Sequence, residues 1–324
     1  FFRHIYKKYN PIKKKSNLFK LSAELSLRLK VRSNISIKSS KFFYALVKAK
    51  PKNYSSVHKI LLNTFLQEIK NKKIIGEYSN GEFANIKTFL EFDKMNIAYQ
   101  VFRDPRAMLM SWKRITFSKN LKYLHSLFNW IEAVDHAIKN KKKYGKRFLI
   151  LKFEETHQNP KKVAKKICEF LKVRFDNNMI NANNWRKVLN KKYNFINTSA
   201  YTKKLVYGFS KNRINTWRGK IEEWEHELVD FLCKKRIKKM GYKIDYSSYP
   251  KKGIFLMKQD NLLKKSLKRF LNYDKVTHAK HNDPSDPRNW EAGETSGKKF
   301  VQSAEYKRYM KEIRKIRKSA KKIK

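Results

Sequence analysis

Residues 96–113 read NIAYQVFRDPRAMLMSWK. Ile97, Tyr99 and Val101 alternate with their neighbours in a short run rich in β-branched and aromatic residues, which predicts a strand. Arg103-Asp104-Pro105 follows at its carboxyl end. Pro105 suits the first turn of a helix, where its missing N–H would have no partner anyway. Ala107 to Met110 continue as good helix formers. Ligands of open α/β sheets gather at the carboxyl ends of strands, and helix N-termini attract anions. Arg103 sits at that corner, and its planar fork suits a two-pronged grip on phosphate. The plainer reading is a strand ending in a turn, with Arg103 on the surface and Ser111 on a helix face.

A second strand–helix unit lies at residues 147–173, RFLILKFEETHQNPKKVAKKICEFLKV. Phe148 to Phe153 is nearly continuous and apolar, as in a parallel strand covered on both faces. Asn159 is the expected cap and Pro160 the first residue of the next helix. Its buried stripe is Val163, Ile167, Phe170 and Leu171. A third stretch, YGFSKNRINTWR at 207–218, offers several cations on one loop. Such a loop can close over a phosphate, since charge-assisted contacts are about twice as strong as neutral ones.

These stretches, in this order, resemble the sulfotransferase superfamily. Arg103-Asp104-Pro105 with Ser111, eight residues after Arg103, resembles that family's 3′-phosphate motif. The 147–173 string is similar to its strand, Tyr-Glu-Asp-like turn, Asn-Pro and helix, with Phe153-Glu154-Glu155 at the turn. Lys211, six residues before Trp217, matches a late basic loop, with Asn212 where the family has glycine. The ending IKKMGY, to Tyr242, matches a closing Leu-Gly-Tyr. The resemblance implies an α/β fold, a central parallel sheet flanked by helices like a nucleotide kinase. It also implies 3′-phosphoadenosine 5′-phosphosulfate as sulfuryl donor and 3′-phosphoadenosine 5′-phosphate as product. Arg103, Ser111 and Lys211 would hold the 3′-phosphate, with Arg213 nearby.

Two family features are weaker. The family's phosphosulfate loop resembles PKSGTT after an apolar strand; here Lys13-Lys14-Lys15-Ser16-Asn17 precedes a helix. Lys15 and Ser16 are the implied cofactor contacts. The glycine that lets backbone N–H groups close around a phosphate is missing. A basic helix N-terminus is the alternative. KIIGEYSN at 73–80 resembles a segment in which Glu77 would orient the acceptor or take its proton. His58 is the second candidate base; a strand-end carboxylate paired with lysine is the plain reading of Glu77.

The rest of the chain sets the limits. It has 324 residues, 41% hydrophobic and 14% aromatic, enough for one large α/β domain with additions. The formal net charge is +51. That admits a polyanion-binding surface. Lysine is spread through the whole chain instead of forming one patch, so drift in composition explains it better. The aromatics look periodic and core-facing, so no specific nucleic acid partner is expected. Cys168 and Cys233 fall on amphipathic helices as small buried apolar residues. No disulfide framework or metal-ligand spacing is visible.

The predicted helices include Asn17 to Leu29, capped by Ser16 or Asn17, and Val57 to Ile69, capped by Ser55 or Ser56. Phe83 to Phe92, Leu121 to Ile138 and Ile221 to Met240 follow. Residues 174–204 are loop-like, with Trp185, Tyr193 and Phe195 as landmarks. The expected division is a sulfotransferase-like domain at 1–245 and a basic, partly helical extension at 246–324. Residues 243–256 read as a linker, Leu262 to Leu271 as a basic amphipathic helix that docks on the core or on an anionic surface, and the basic tail offers contact with an anionic surface. No apolar run of about 18 residues is present and no apolar leader, so a cytoplasmic location is expected. The expected activity is sulfuryl transfer to a hydroxyl of a carbohydrate or small molecule. The alternatives are a non-catalytic relative that keeps the 3′-phosphate pocket, and a basic polyanion binder.

Overall fold

The structure, a computed structural model, describes residues 9–33, 37–65, 74, 76, 82–115, 121–181, 208–276 and 304–321. The chain forms two compact units. The first comprises Phe1–Glu77, Leu189–Ala200 and Lys280–Lys324; the second comprises Tyr78–Val188 and Tyr201–Ala279.

In the first unit, α1 (Lys15–Ser33), α2 (Ser39–Ala49) and α3 (Tyr54–Phe65) enclose a small core. Leu18, Leu21 and Leu25 of α1 meet Phe42, Leu46 and Val57 there. The helical spacing of those leucines puts them on one face, as expected. Asn53 does the capping expected of Ser55 or Ser56: its Oδ1 accepts from the Ser56 amide at 3.0 Å. Asn is among the best capping residues because its short side chain reaches the unpaired amides.

The second unit carries the sheet. After a 3-10 turn at Glu82–Asn85 come α4 (Ile86–Phe92), β1 (Ala98–Phe102) and α5 (Pro105–Ile115). Then follow α6 (His125–Tyr144), β2 (Phe148–Lys152), α7 (Phe153–Gln158), α8 (Pro160–Leu171) and α9 (Glu223–Lys239). β1 and β2 pair in parallel, in register from Ala98 opposite Phe148 to Phe102 opposite Lys152. A parallel pair needs a crossover, and α5 with α6 supplies it. Among the described residues the sheet has these two strands.

α6 buries Leu127, Phe128, Ile131 and Val134. It runs on to Tyr144, past the expected Ile138. Lys141–Lys143 in its last turn and Gly145 at φ 52° end it. The turn expected at Phe153-Glu154-Glu155 is a short helix, α7. Pro160 opens α8 as expected, but the Asn159 side chain makes no capping bond. α9 starts on a capping box: the Glu222 amide donates to Glu225 Oε2 at 2.7 Å, while the Glu222 side chain accepts the return bond.

The linker expected at 243–256 is irregular over 243–250 and is overturned from Lys251 onward. Residues Lys251–Gln259 form α10 and Asn261–Tyr273 form α11. Ile254, Met257, Leu263 and Leu267 are buried in the same core cluster as Leu228 and Phe128. Burying four such side chains stabilises the unit far more than solvating a lysine-rich segment would. The core of the second unit therefore continues past residue 245. In the first unit, α12 (Ala304–Lys321) packs beside α1.

Cys168 and Cys233 are free and buried, as expected. No described helix is long and apolar enough to cross a membrane. Glu77 and the landmarks Trp185, Tyr193 and Phe195 lie outside the described residues.

Candidate functional site

The site is built where β1 and β2 end. Phe102 packs edge-on against Trp130 of α6, and Trp130 Nε1 donates to the Arg103 carbonyl at 3.0 Å. The Arg103 backbone is thus fixed from below. Its guanidinium lies 4.6 Å from the centre of the Phe153 ring, the first residue after β2. Nη2 donates to the Arg213 carbonyl at 3.1 Å and to Thr216 Oγ1 at 3.0 Å. Nε is buried without a hydrogen-bond partner. The fork thus keeps donor capacity beyond the bonds that hold it. Burial lowers the Arg103 pKa, and Arg213 lowers it further against Glu154 and Asp104, but a guanidinium remains charged at any ordinary pH.

The facing loop is as well supported. Gly208 has φ 84°, and Lys211–Arg213 make one 3-10 turn. Trp217 is buried against Ala107 and Met110 of α5, which pins the far end of the loop. At the near end the Ser210 amide donates to His157 Nδ1 at 2.9 Å. Lys211 is exposed and Arg213 half-buried. Gln158, Asn159, Lys211, Ile214 and Asn215 line an open depression of about 390 Å³.

The local balance of charge favours an anion. Arg103 and Arg213 both push the His157 pKa down, after burial, so three basic groups share this corner. The neighbouring carboxylate, Glu154, is engaged elsewhere. Its Oε1 accepts from the Asp104 amide and its Oε2 from the Tyr242 hydroxyl, both at 2.9 Å. That bond, with burial first, holds the Tyr242 phenol well above its usual range.

Of the residues singled out from the sequence, Arg103 and the Lys211–Arg213 turn come together. Ser111 lies on α5, about one helical turn beyond Ala107. It is half-buried, and no described hydrogen bond joins it to Arg103. Lys15 and Ser16 occupy the first turn of α1 in the other unit, after a turn at 11–14; among the described residues no strand precedes them. His58 is half-buried on α3 of that unit.

Sequence reasoning missed two features. His157 is 7% exposed and stands between Phe153, at 4.3 Å, and Phe209, at 5.8 Å. Its place four residues beyond Phe153 was the available signal. Arg106 is 3% exposed and holds much of the support together. It pairs with Asp104 at 2.8 Å and Asp245 at 2.9 Å, lies 3.7 Å from Asp230, and covers the Trp217 ring at 4.5 Å. His226, Asp230 and Asp245 bring possible metal-ligand atoms within 4.8 Å of one another. Arg106 Nη1 stands among them, 3.1 Å from His226 Nε2, so a guanidinium already supplies the positive charge.

Residues 87–241 match the sequence model of a family described as "Sulfotransferase domain". Over that stretch the chain is similar to the sulfotransferase superfamily, in agreement with the parallel α/β arrangement described above. The match includes Arg103, Ser111, Lys211 and Arg213, and excludes Lys15, Ser16, His58 and Glu77. A solved structure described as "Sulfotransferase Domain from the Curacin Biosynthetic Pathway" is similar at a TM-score of 0.43 and 9% identity. The likeness covers 72% of this chain and 96% of that one. Among curated proteins no relative matches.

Proposed function

We propose that this sulfotransferase domain takes 3′-phosphoadenosine 5′-phosphosulfate as donor and passes its sulfuryl group to a hydroxyl of a carbohydrate or small molecule. Arg103, Lys211 and Arg213 bind the donor's 3′-phosphate, with Ser111 beside them on α5. The observation that carries the reading is the Arg103 fork meeting the Arg213 carbonyl across 110 positions of chain. A cationic turn and a strand-end arginine held in one corner suit a doubly charged ester better than a single surface lysine does.

The donor supplies an activated sulfuryl group; the protein's part is to fix it and to stabilise the charge left behind. A base must take the acceptor's proton. Glu77 and His58 are the proposed candidates, with Lys15 and Ser16 as proposed contacts to the phosphosulfate. The exposed basic residues of α12 offer a surface to an anionic partner. The proposed location is cytoplasmic.

A second reading rests on residues 11–17. Lys15 and Ser16 begin a helix after a turn without glycine. A protein that binds the 3′-phosphate without turnover would tolerate that. Titration calorimetry with 3′-phosphoadenosine 5′-phosphate tests both readings, with adenosine 5′-monophosphate as control. Heat with the first and little with the second is expected, and Lys211→Ala, an exposed change, weakens the first without unfolding the protein. No heat in the wild type overturns the assignment. Binding without turnover on a panel of hydroxyl acceptors selects the second reading.

A further inference from the structure

We propose that His157 is a positioning residue that holds the Ser210–Thr216 loop in register with Arg103, and so sets the affinity for a terminal phosphate dianion. The inference rests on the anion-binding role proposed for that corner.

A closed circuit of contacts carries it. The Phe153 ring lies under the Arg103 guanidinium at 4.6 Å and against the His157 ring at 4.3 Å. His157 Nδ1 accepts the Ser210 amide proton at 2.9 Å. Ser210 begins the turn whose Arg213 carbonyl and Thr216 hydroxyl accept from Arg103 Nη2. Arg103 therefore depends on the turn, and the turn depends on the imidazole. Phe153 braces both.

The tautomer follows from the partner. A backbone amide only donates, so Nδ1 carries a lone pair and the proton of neutral His157 is on Nε2. Burial, Arg213 and Arg103 all favour the neutral ring. Without this bond the Ser210 amide would lose its partner at a part-buried position, and the turn would be held only toward its far end, by the two Arg103 bonds and by Trp217.

Two substitutions separate positioning from bulk. In His157→Asn the amide oxygen stands near the place of Nδ1 and can accept from Ser210. His157→Leu fills space but accepts nothing. Calorimetry with 3′-phosphoadenosine 5′-phosphate should show His157→Leu about five- to tenfold weaker, the worth of one such bond, with His157→Asn close to wild type. Adenosine 5′-monophosphate should not distinguish the three proteins. Hydrogen exchange of peptides spanning 208–217 should speed up in His157→Leu and not in His157→Asn, with no ligand present. Unchanged exchange in His157→Leu overturns the positioning role. Faster exchange with unchanged affinity overturns the link to the anion. A wild type that does not bind the bisphosphate removes the functional reading itself, and with it the role of His157 in that grip.

Discussion

Arg103 gives one terminal nitrogen, Nη2, to the Arg213 carbonyl and the Thr216 hydroxyl, and leaves its buried Nε unpaired. The fork is held by one prong while the rest is available. A lysine would serve both less well, because its three donors sit on one compact nitrogen and lack the planar fork that presents separate nitrogens to the turn and to the ligand. Arg103→Lys should therefore bind 3′-phosphoadenosine 5′-phosphate about tenfold more weakly. Arg103→Ala should lose about a hundredfold, within the range for a hydrogen bond to a charged group. Calorimetry measures both, and thermal melting checks that the turn still folds. Equal affinities in all three proteins would remove Arg103 from the site.

The units legible in the sequence are those built from neighbours in the chain. The strand, Arg-Asp-Pro and helix at 96–113, and the strand and Asn-Pro helix at 147–173, rest on alternation, Pro at the helix start and helical spacing. All of these act within a few residues. Arg106 was not legible because its partners His226, Asp230 and Asp245 lie more than a hundred residues away. α10 was hidden for another reason, whereas α11 falls where a basic amphipathic helix was expected, at Leu262 to Leu271. Ile254 and Met257 of α10 have helical spacing, but Lys251, Lys252 and Lys258 crowd the same stretch and make it read as solvated. With 78 lysines and arginines, composition also gave no means of choosing which cations share a site.

Arg106 binds α5, the loop before Tyr246 and α9 into one support. Its removal takes from Asp104 and Asp230, both buried, the guanidinium that lies between them. Breaking a buried ion pair from one side costs about 3–5 kcal/mol. Arg106→Ala should lose stability on that scale in urea unfolding, more than an exposed lysine replaced in parallel. Because the guanidinium fills the space among His226, Asp230 and Asp245, zinc should leave the wild-type melting temperature unchanged. A clear zinc-induced rise would mean that the cluster prefers a metal to Arg106.

Gly253 tests whether α10 belongs to the core. A Cβ at this position would lie 3.0 Å from the Leu228 Cβ on α9 and 3.1 Å from its Cδ1. Neither helix has slack there, since Leu228 and Ile254 are both buried. Gly253→Val should destabilise the protein by about 1–3 kcal/mol through overpacking. If residues past 245 were a linker, the same change would be neutral in chemical unfolding.

Glu132 makes stability depend on pH with a definite sign. Burial, and then Asp135, push its carboxyl up to about 7. A folded pKa above the unfolded value means the folded state holds its proton more tightly. That contribution is complete below the ordinary carboxylate range and is lost as pH rises through about 7. The histidines run the other way. Burial lowers His125, His136, His157 and His226, so their contribution is present above the ordinary imidazole range and is lost as pH falls below it. A wild-type profile alone would mix the two. The difference between Glu132→Gln and wild type cancels the histidines to first order, His136 excepted, which lies 3.8 Å from Glu132. Glu132→Gln should melt close to wild type at about pH 5 and about 2–4 °C higher at about pH 8, for roughly 1 kcal/mol after solvent screening. Scanning calorimetry at the two pH values reads this directly, and a difference that does not grow with pH would mean Glu132 ionises as an ordinary surface carboxylate.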